Sequence, residues 1–193
     1  MTQLIFHHNH QHLPPAGDGL LPVQLYGLSG KGRGDISIIG NPIIDKVKRL
    51  GVQIPNQVMD FLTIALAVTA SDTFVRRADA EDGWTRRFTL QLPLHEPARW
   101  LPLKKDLERA LHFLSGDIWD FNFQDGGLPP PEPYCWPDRH KRISLIELDC
   151  VCLFSGGMDS AIGALDLLAQ GRSPLFVSHT YKGYNNHQYH SST

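Results

Sequence analysis

One stretch limits the possible folds of this chain more than any other: Leu148 to Gln170, which reads LDCVCLF, then SGGMDS, then AIGALDLLAQ. Asp149 apart, Leu148 to Phe154 is an unbroken run of apolar or sulfur side chains, the pattern of a strand covered on both faces as in a parallel sheet. Gly156 and Gly157 follow, and glycine lets successive backbone N–H groups turn toward one point. Asp159 or Ser160 can cap the helix that starts there, and the free N–H groups and positive dipole end of a helix favour an anion. Ser155 and Ser160 add hydroxyl donors, while Asp159 suits ordering the turn or holding a magnesium ion. Gly171 and Pro174 mark the helix stop. The expectation is a phosphate-holding loop between strand and helix; the plain alternative is a glycine turn used for close packing alone.

Residue identity separates this loop from other phosphate motifs. A Walker A loop needs a Lys followed by Ser or Thr after its last glycine, and a dinucleotide fingerprint needs G-x-G-x-x-G; SGGMDS is neither. GLSGKGRGD, with Lys31 and Arg33, lacks the hydroxyl residue after its Lys and reads as a solvated basic turn.

The 193 residues suffice for one large or two small domains. At 41% hydrophobic and 20% charged the chain reads as globular, and a net charge of −2 gives no footprint for nucleic acid. No apolar run reaches membrane-spanning length, and MTQLIFHHNHQH lacks a secretory signal pattern. Three cysteines make no disulfide framework, which points to a reducing cytoplasm. Cys150 and Cys152, two apart on the expected strand, share a face and read as small buried hydrophobes, with a C-x-C metal site as the weaker alternative. Cys135 lies among prolines and is expected to be exposed.

In chain order, residues 1–20 look irregular: His7, His8, His10 and His12 precede Pro14, Pro15, Gly17 and Gly19, the pattern of a flexible, solvated arm that binds metals at most adventitiously. Residues 21–124 read as an α+β domain. Its first runs, PVQLYGL and DISIIG, flank a glycine-rich hairpin or long turn. A short helix runs from Pro42 to Leu50, and a stronger, mostly apolar one holds QVMDFLTIALAVTA, which must be covered on most sides. Phe88, Leu90 and Leu92 alternate with Arg87, Thr89 and Gln91 as in a half-buried strand. KKDLERALHFLSG is an amphipathic helix with Leu107, Ala110, Leu111 and Leu114 on one face, Gly116 as its stop and His112 at its surface. Trp119, Phe121 and Phe123 share one face of a second alternating strand, expected in the core rather than on a nucleic-acid platform. Five prolines in DGGLPPPEPYCWPDRHKR make residues 125–142 a linker, in which PPPEP is a stiff spacer or a partner's ligand and His140, Lys141 and Arg142 a solvated basic cluster. SPLFVSHTY then supplies the second strand of a βαβ unit, whose end at Ser178 to Lys182 should flank the phosphate loop.

Strand, SGGMDS and helix together resemble the pyrophosphate loop of the PP-loop ATP pyrophosphatases, which include GMP synthetase, asparagine synthetase, tRNA thiolation enzymes and 7-cyano-7-deazaguanine synthase. LFSGGMDSAIGALDLLAQG, PLFVSH and the upstream LSGDIWDFNF are similar to the 7-cyano-7-deazaguanine synthase (QueC) branch, and more narrowly to the QueC-like component of bacterial Qat anti-phage defence systems. The resemblance implies an α/β protein: an N-terminal α+β domain, then the first βαβ unit of an adenine nucleotide alpha hydrolase-like parallel sheet in residues 143–193.

By that resemblance Ser155, Gly156, Gly157, Met158, Asp159 and Ser160 hold the pyrophosphate moiety of ATP with Mg2+, and the chemistry is adenylation of a carboxyl-bearing substrate, with a 7-deazaguanine-related acid as one candidate, as in a ligase releasing AMP and pyrophosphate. Other defence-system proteins are the expected partners. A zinc site is implied only with a cysteine cluster downstream, and the YGQRH-like stretch of the synthase is echoed only by YKGYNNHQYH, where His179, His187 and His190 are site candidates. From Leu148 onward there is room for two strands and one helix, so a fragment or truncated form is expected. The alternative function is a non-catalytic ATP-binding subunit, or a remnant, whose N-terminal domain docks a defence partner.

Overall fold

The computed structural model describes residues 1–28, 34–134 and 147–178. The chain divides into two units, Met1–Pro137 and Asp138–Thr193, with the division inside the proline-rich 125–142 segment. The protein is α/β.

The first unit is built on β1 (Thr2–His7), β2 (Leu20–Leu25), β3 (Ser37–Ile39), β4 (Arg87–Leu94) and β5 (Ile118–Asp125), in the order β3-β2-β1-β4-β5. Every pairing is parallel, so this unit is α/β rather than the α+β domain expected. The glycine-rich turn is not a hairpin either, since β2 and β3 run the same way, with Val23 opposite Ser37 and Leu25 opposite Ile39.

The largest correction concerns residues 1–20. Instead of a flexible arm they supply β1, the middle strand, whose Leu4 and Phe6 are buried. Period-two alternation decides it: Leu4 and Phe6 face the core while Ile5 and His7 point to the other face. The following tract is ordered too, with a 3-10 turn at His10–His12 and Leu13 buried at 3% exposure.

Helices α1 (Ile43–Arg49), α2 (Asn56–Phe74), α3 (Pro97–Trp100) and α4 (Lys104–Ser115) complete the unit. α2 packs on β2, β3 and β4 through Met59, Ile64, Leu66, Ala67 and Ala70. It is not covered on most sides, because Val58, Phe61 and Ala65 remain exposed. Asp60, on its buried side, accepts the His95 N–H at 2.7 Å, the Glu96 N–H at 2.9 Å and the Trp100 indole N–H at 3.3 Å. α4 ends where expected, at Gly116, in the left-handed conformation with φ 74°. Leu107 and Leu111 pack against the core, but Ala110 and Leu114 of the expected apolar face are exposed.

Phe88, Leu90 and Leu92 of β4 and Trp119, Phe121 and Phe123 of β5 all enter the core, as their alternation demands. The opposite face of these strands carries Asp120, Asn122 and Gln124, all exposed. After β5 the chain stays on the unit: the Gly127 N–H bonds to the Leu94 carbonyl at 3.0 Å and the Tyr134 hydroxyl to Asp45 at 2.8 Å. Cys135, His140, Lys141 and Arg142 lie outside the described residues, as do Lys31 and Arg33.

The second unit contains β6 (Cys150–Leu153), α5 (Met158–Ala169) and β7 (Pro174–Val177), with β6 and β7 parallel. This is a βαβ unit. Among the described residues of the chain no helix is long and apolar enough to cross a membrane.

Candidate functional site

The SGGMDS loop joins the carboxyl end of β6 to α5, the edge at which open parallel sheets bind their ligands. Phe154 is still tied to β7, its N–H meeting the Val177 carbonyl at 2.8 Å, and the turn begins only after it. Gly156 makes the turn at φ 81°, a backbone conformation that side chains disfavour. Gly157 is different: it is the residue preceding α5, extended at φ −82° and ψ 164°. A Cβ on it would lie 3.5 Å from the Ser155 hydroxyl, an ordinary contact, so only the first glycine is needed for its backbone angles.

The expected cap is corrected by this placement. Asp159 and Ser160 stand within the first turn of α5 and no side chain caps the helix. The first helical bond runs from the Ala161 N–H to the Gly157 carbonyl at 3.1 Å. An α-helix leaves the N–H groups before that bond without intrahelical partners, here those of Met158, Asp159 and Ser160. The same end carries the positive pole of a helix of 12 residues.

Two hydroxyls close the loop. Ser160 Oγ donates to the Gly157 carbonyl at 2.8 Å, and Ser155 Oγ donates to Ser160 Oγ at 3.2 Å. Ser155 Oγ in turn accepts the Gly157 N–H at 3.4 Å. Ser155 to Asp159 are exposed and Ser160 half-buried, so the loop is open to a ligand on the described chain. Met158 offers its backbone, its side chain being 79% exposed. The free donors fit a phosphate: three backbone N–H groups and a dipole end stand at one turn, beside two hydroxyls whose protons are engaged within the loop. Asp159 works the other way, because a carboxylate in the first turn repels an anion unless a cation lies between. A divalent ion such as Mg2+, a hard cation that takes carboxylate and phosphate oxygens together, would reconcile the two.

β6 departs from the expected doubly covered strand, with Val151 at 66% and Leu153 at 78% exposure. Cys150 and Cys152 share its other face and are half-buried, free thiols. Among the described residues no group of three His, Cys, Asp or Glu is arranged to hold a metal ion. Asp149, the single charge in the apolar run, fastens the other end of the pair: it accepts from Arg172 Nε at 2.7 Å and from the Ser173 N–H at 3.0 Å. The Arg172 hydrogen bond holds its carboxyl below the usual range, and the Asp149 carboxylate raises the Cys150 thiol. Sequence reasoning missed this clamp, although a lone acid in an apolar strand and an Arg just past the helix stop were its visible signs. Ser178, at the end of β7, is exposed; His179, Lys182, His187 and His190 lie outside the described residues.

No protein-family model, curated protein or solved structure matches the chain.

Proposed function

We propose that the loop Ser155–Gly156–Gly157–Met158–Asp159–Ser160 grips the pyrophosphate moiety of Mg·ATP, and that the protein is a PP-loop, QueC-like enzyme that adenylates a carboxyl-bearing substrate. One observation carries the grip: a glycine turn at φ 81° delivers two mutually bonded serine hydroxyls and an uncapped helix N-terminus to one edge of a parallel strand pair; the family and the adenylation chemistry rest on the sequence resemblance. In the reaction a carboxylate oxygen forms a bond to the α-phosphorus as the bond to the bridging oxygen breaks, and pyrophosphate leaves with that electron pair. A nitrogen nucleophile then attacks the acyl carbon, AMP departs, and the nitrogen's proton goes to solvent. Carboxylate oxygen is a poor leaving group and AMP a better one, which is what the first step achieves.

In this scheme the chain's residues act on the departing charge. The N–H groups at the start of α5 stabilise negative charge growing on pyrophosphate, and the Ser155 and Ser160 hydroxyls join them by turning their protons from acceptors within the loop to the phosphate. Mg2+, held through Asp159, supplies the remaining charge neutralisation when bound. A role in anti-phage defence, with other defence proteins as partners and a substrate related to 7-deazaguanine, rests on the sequence resemblance alone.

Calorimetry of the full chain with Mg·ATP tests the grip. Ser160→Ala should weaken binding by about tenfold or more, the scale of one charge-assisted hydrogen bond, and Asp159→Ala should weaken it through loss of the Mg2+ ligand; unchanged affinity in both sinks the site. ATP–pyrophosphate exchange with carboxylic acid substrates tests the chemistry separately from binding.

A further inference from the structure

The histidine-rich tract after β1 is ordered around a ring cluster. His7 closes the middle strand, and its ring stacks on His8 with centroids 4.4 Å apart and 26° between planes; His12 lies 4.6 Å away on a tilt of 33°. The 3-10 turn that carries His12 is itself tied to His7, because Asn9 donates its N–H to His7 Nδ1 at 2.9 Å while its side chain accepts the Gln11 N–H at 3.0 Å. Other contacts also hold the crossing chain between β1 and β2, among them the reciprocal Gly17 and Leu20 backbone bonds at 3.1 Å. Leu13 is buried, the Gln3 N–H reaches the Gly19 carbonyl at 2.7 Å, and the Ala16 N–H reaches Asp35 at 2.9 Å.

We propose that His7, His8 and His12 form an acid-sensitive latch: as neutral rings they stack and hold the crossing segment of residues 8–19 on the sheet, and protonation of more than one ring releases it. Three imidazoles within stacking distance tolerate one proton, since a single imidazolium is attracted to a neighbouring ring face, but two charges at such spacing repel. The environment favours the neutral state. Burial lowers the His7 pKa first and the charges of His8 and His12 lower it further; burial and then His12 lower that of His8. The residue in register with His7 on β2 is the neutral Gln24, and on the β4 side the last paired residue is the neutral Gln91 opposite Ile5. At His7 itself a proton on Nδ1 loses the Asn9 N–H and gains the Asn9 carbonyl at 3.0 Å, which raises the pKa but does not outweigh burial and the neighbouring rings.

Sign follows from linkage. A histidine whose folded pKa lies below its unfolded value of about 6.5 contributes stability that is present above that pH and lost as pH falls through it toward the folded value.

The experiment is hydrogen exchange by NMR on the full chain with a chelator present, expressed as protection corrected for intrinsic rates, at about pH 7.5 and about pH 5. The Gln11, Leu13 and Leu20 amides should lose roughly tenfold or more of their protection at the acid pH, equivalent to about 1.4 kcal/mol of local opening, while the Leu111 amide in α4 keeps its own. In the His8→Gln/His12→Gln double variant that loss should vanish. Equal protection of the reporter amides at both pH values, or an undiminished loss in the double variant, overturns the latch. Ring titrations of the unsubstituted protein give a second reading that needs no variant: His7 and His8 should titrate below the ordinary value, and titration of His7 at that value overturns the proposal.

Discussion

Arg86 donates to the Asp117 carboxylate at 2.7 Å, with the two side chains 4% and 0% exposed. Arg86 precedes β4 and Asp117 precedes β5, so the pair fixes the entry of two neighbouring strands. Asp117 also accepts the Arg86 N–H and Arg77 Nη1, each at 3.0 Å, and Arg86 reaches on to Asp72 at 2.7 Å. Burial by itself raises the Asp117 pKa, and the Arg86 and Arg77 contacts overcome it to leave the carboxyl below its usual range. Asp117→Ala should destabilise the first unit by roughly 3–5 kcal/mol, the cost of removing the buried partner of a guanidinium that keeps only the exposed Asp72. Urea unfolding of the variant measures it. The sign with pH is also set: the carboxylate's contribution is complete above the unfolded pKa of about 3.9 and is lost as pH falls through the folded value.

Asp60 offers a second test of a buried acceptor. Its two oxygens take two N–H donors from the turn after β4 and a third from Trp100 at the end of α3, the shortest at 2.7 Å. Asp60→Asn places an NH2 group against one of those donors, which should cost about 1–3 kcal/mol. Hydrogen exchange should show the His95 and Glu96 amides losing protection in the variant. Unchanged protection of both would mean that the backbone of the turn holds itself.

How far residue patterns reveal this structure depends on whether the deciding partner is local. The β4 and β5 faces were legible because Leu90, Leu92, Phe121 and Phe123 alternate without interruption and each strand needs only one buried face. β1 was not, because TQLIFH is short and runs straight into a histidine and proline tract; its strand character comes from pairing with β2 and β4, the second more than eighty residues away, with Thr2 opposite Phe88. Helical spacing placed Ala110 and Leu114 with Leu107 and Leu111, yet it does not say how wide a surface lies beneath, and only the latter two find it. Asp60 and Asp149 were each visible as single charges in apolar runs, while their acceptor roles needed the chain segments that meet them. At the loop, the turn and helix start were readable from SGGMDS, whereas the Ser155 to Ser160 bond depends on the loop's closure.

Tyr26 links alkaline pH to stability. Its hydroxyl pairs with the Thr63 hydroxyl at 2.5 Å in the core, and burial pushes its pKa up to about 12. A folded value above the unfolded value of about 10 means that the stabilisation is complete below pH 10 and is lost as pH rises toward 12. The difference corresponds to roughly 2–3 kcal/mol across that window. Tyr26→Phe should remove this alkaline slope in denaturant titrations. At neutral pH it should cost about 1 kcal/mol, because Thr63 keeps its bond to the Met59 carbonyl at 2.9 Å. An alkaline slope identical in both proteins would assign the titration to another group.

Gly156 and Gly157, adjacent and chemically identical, should respond differently to the same substitution. Gly156 sits at φ 81°, where an alanine side chain costs roughly 1–2 kcal/mol. The cheaper response for the chain is to move Gly156 out of that conformation, which carries Ser155 away from Ser160 and opens the cradle. Gly157 is already extended, and an added Cβ meets only the Ser155 hydroxyl at 3.5 Å, so the backbone there accepts alanine. In calorimetry with Mg·ATP, Gly156→Ala should weaken binding by about tenfold or more, the equivalent of that strain, whereas Gly157→Ala should retain most of the affinity. Thermal unfolding read alongside separates the causes: a lowered midpoint confined to Gly156→Ala reports backbone strain. Equal and small effects of both substitutions on affinity would mean that the turn at Gly156 does not position the phosphate donors.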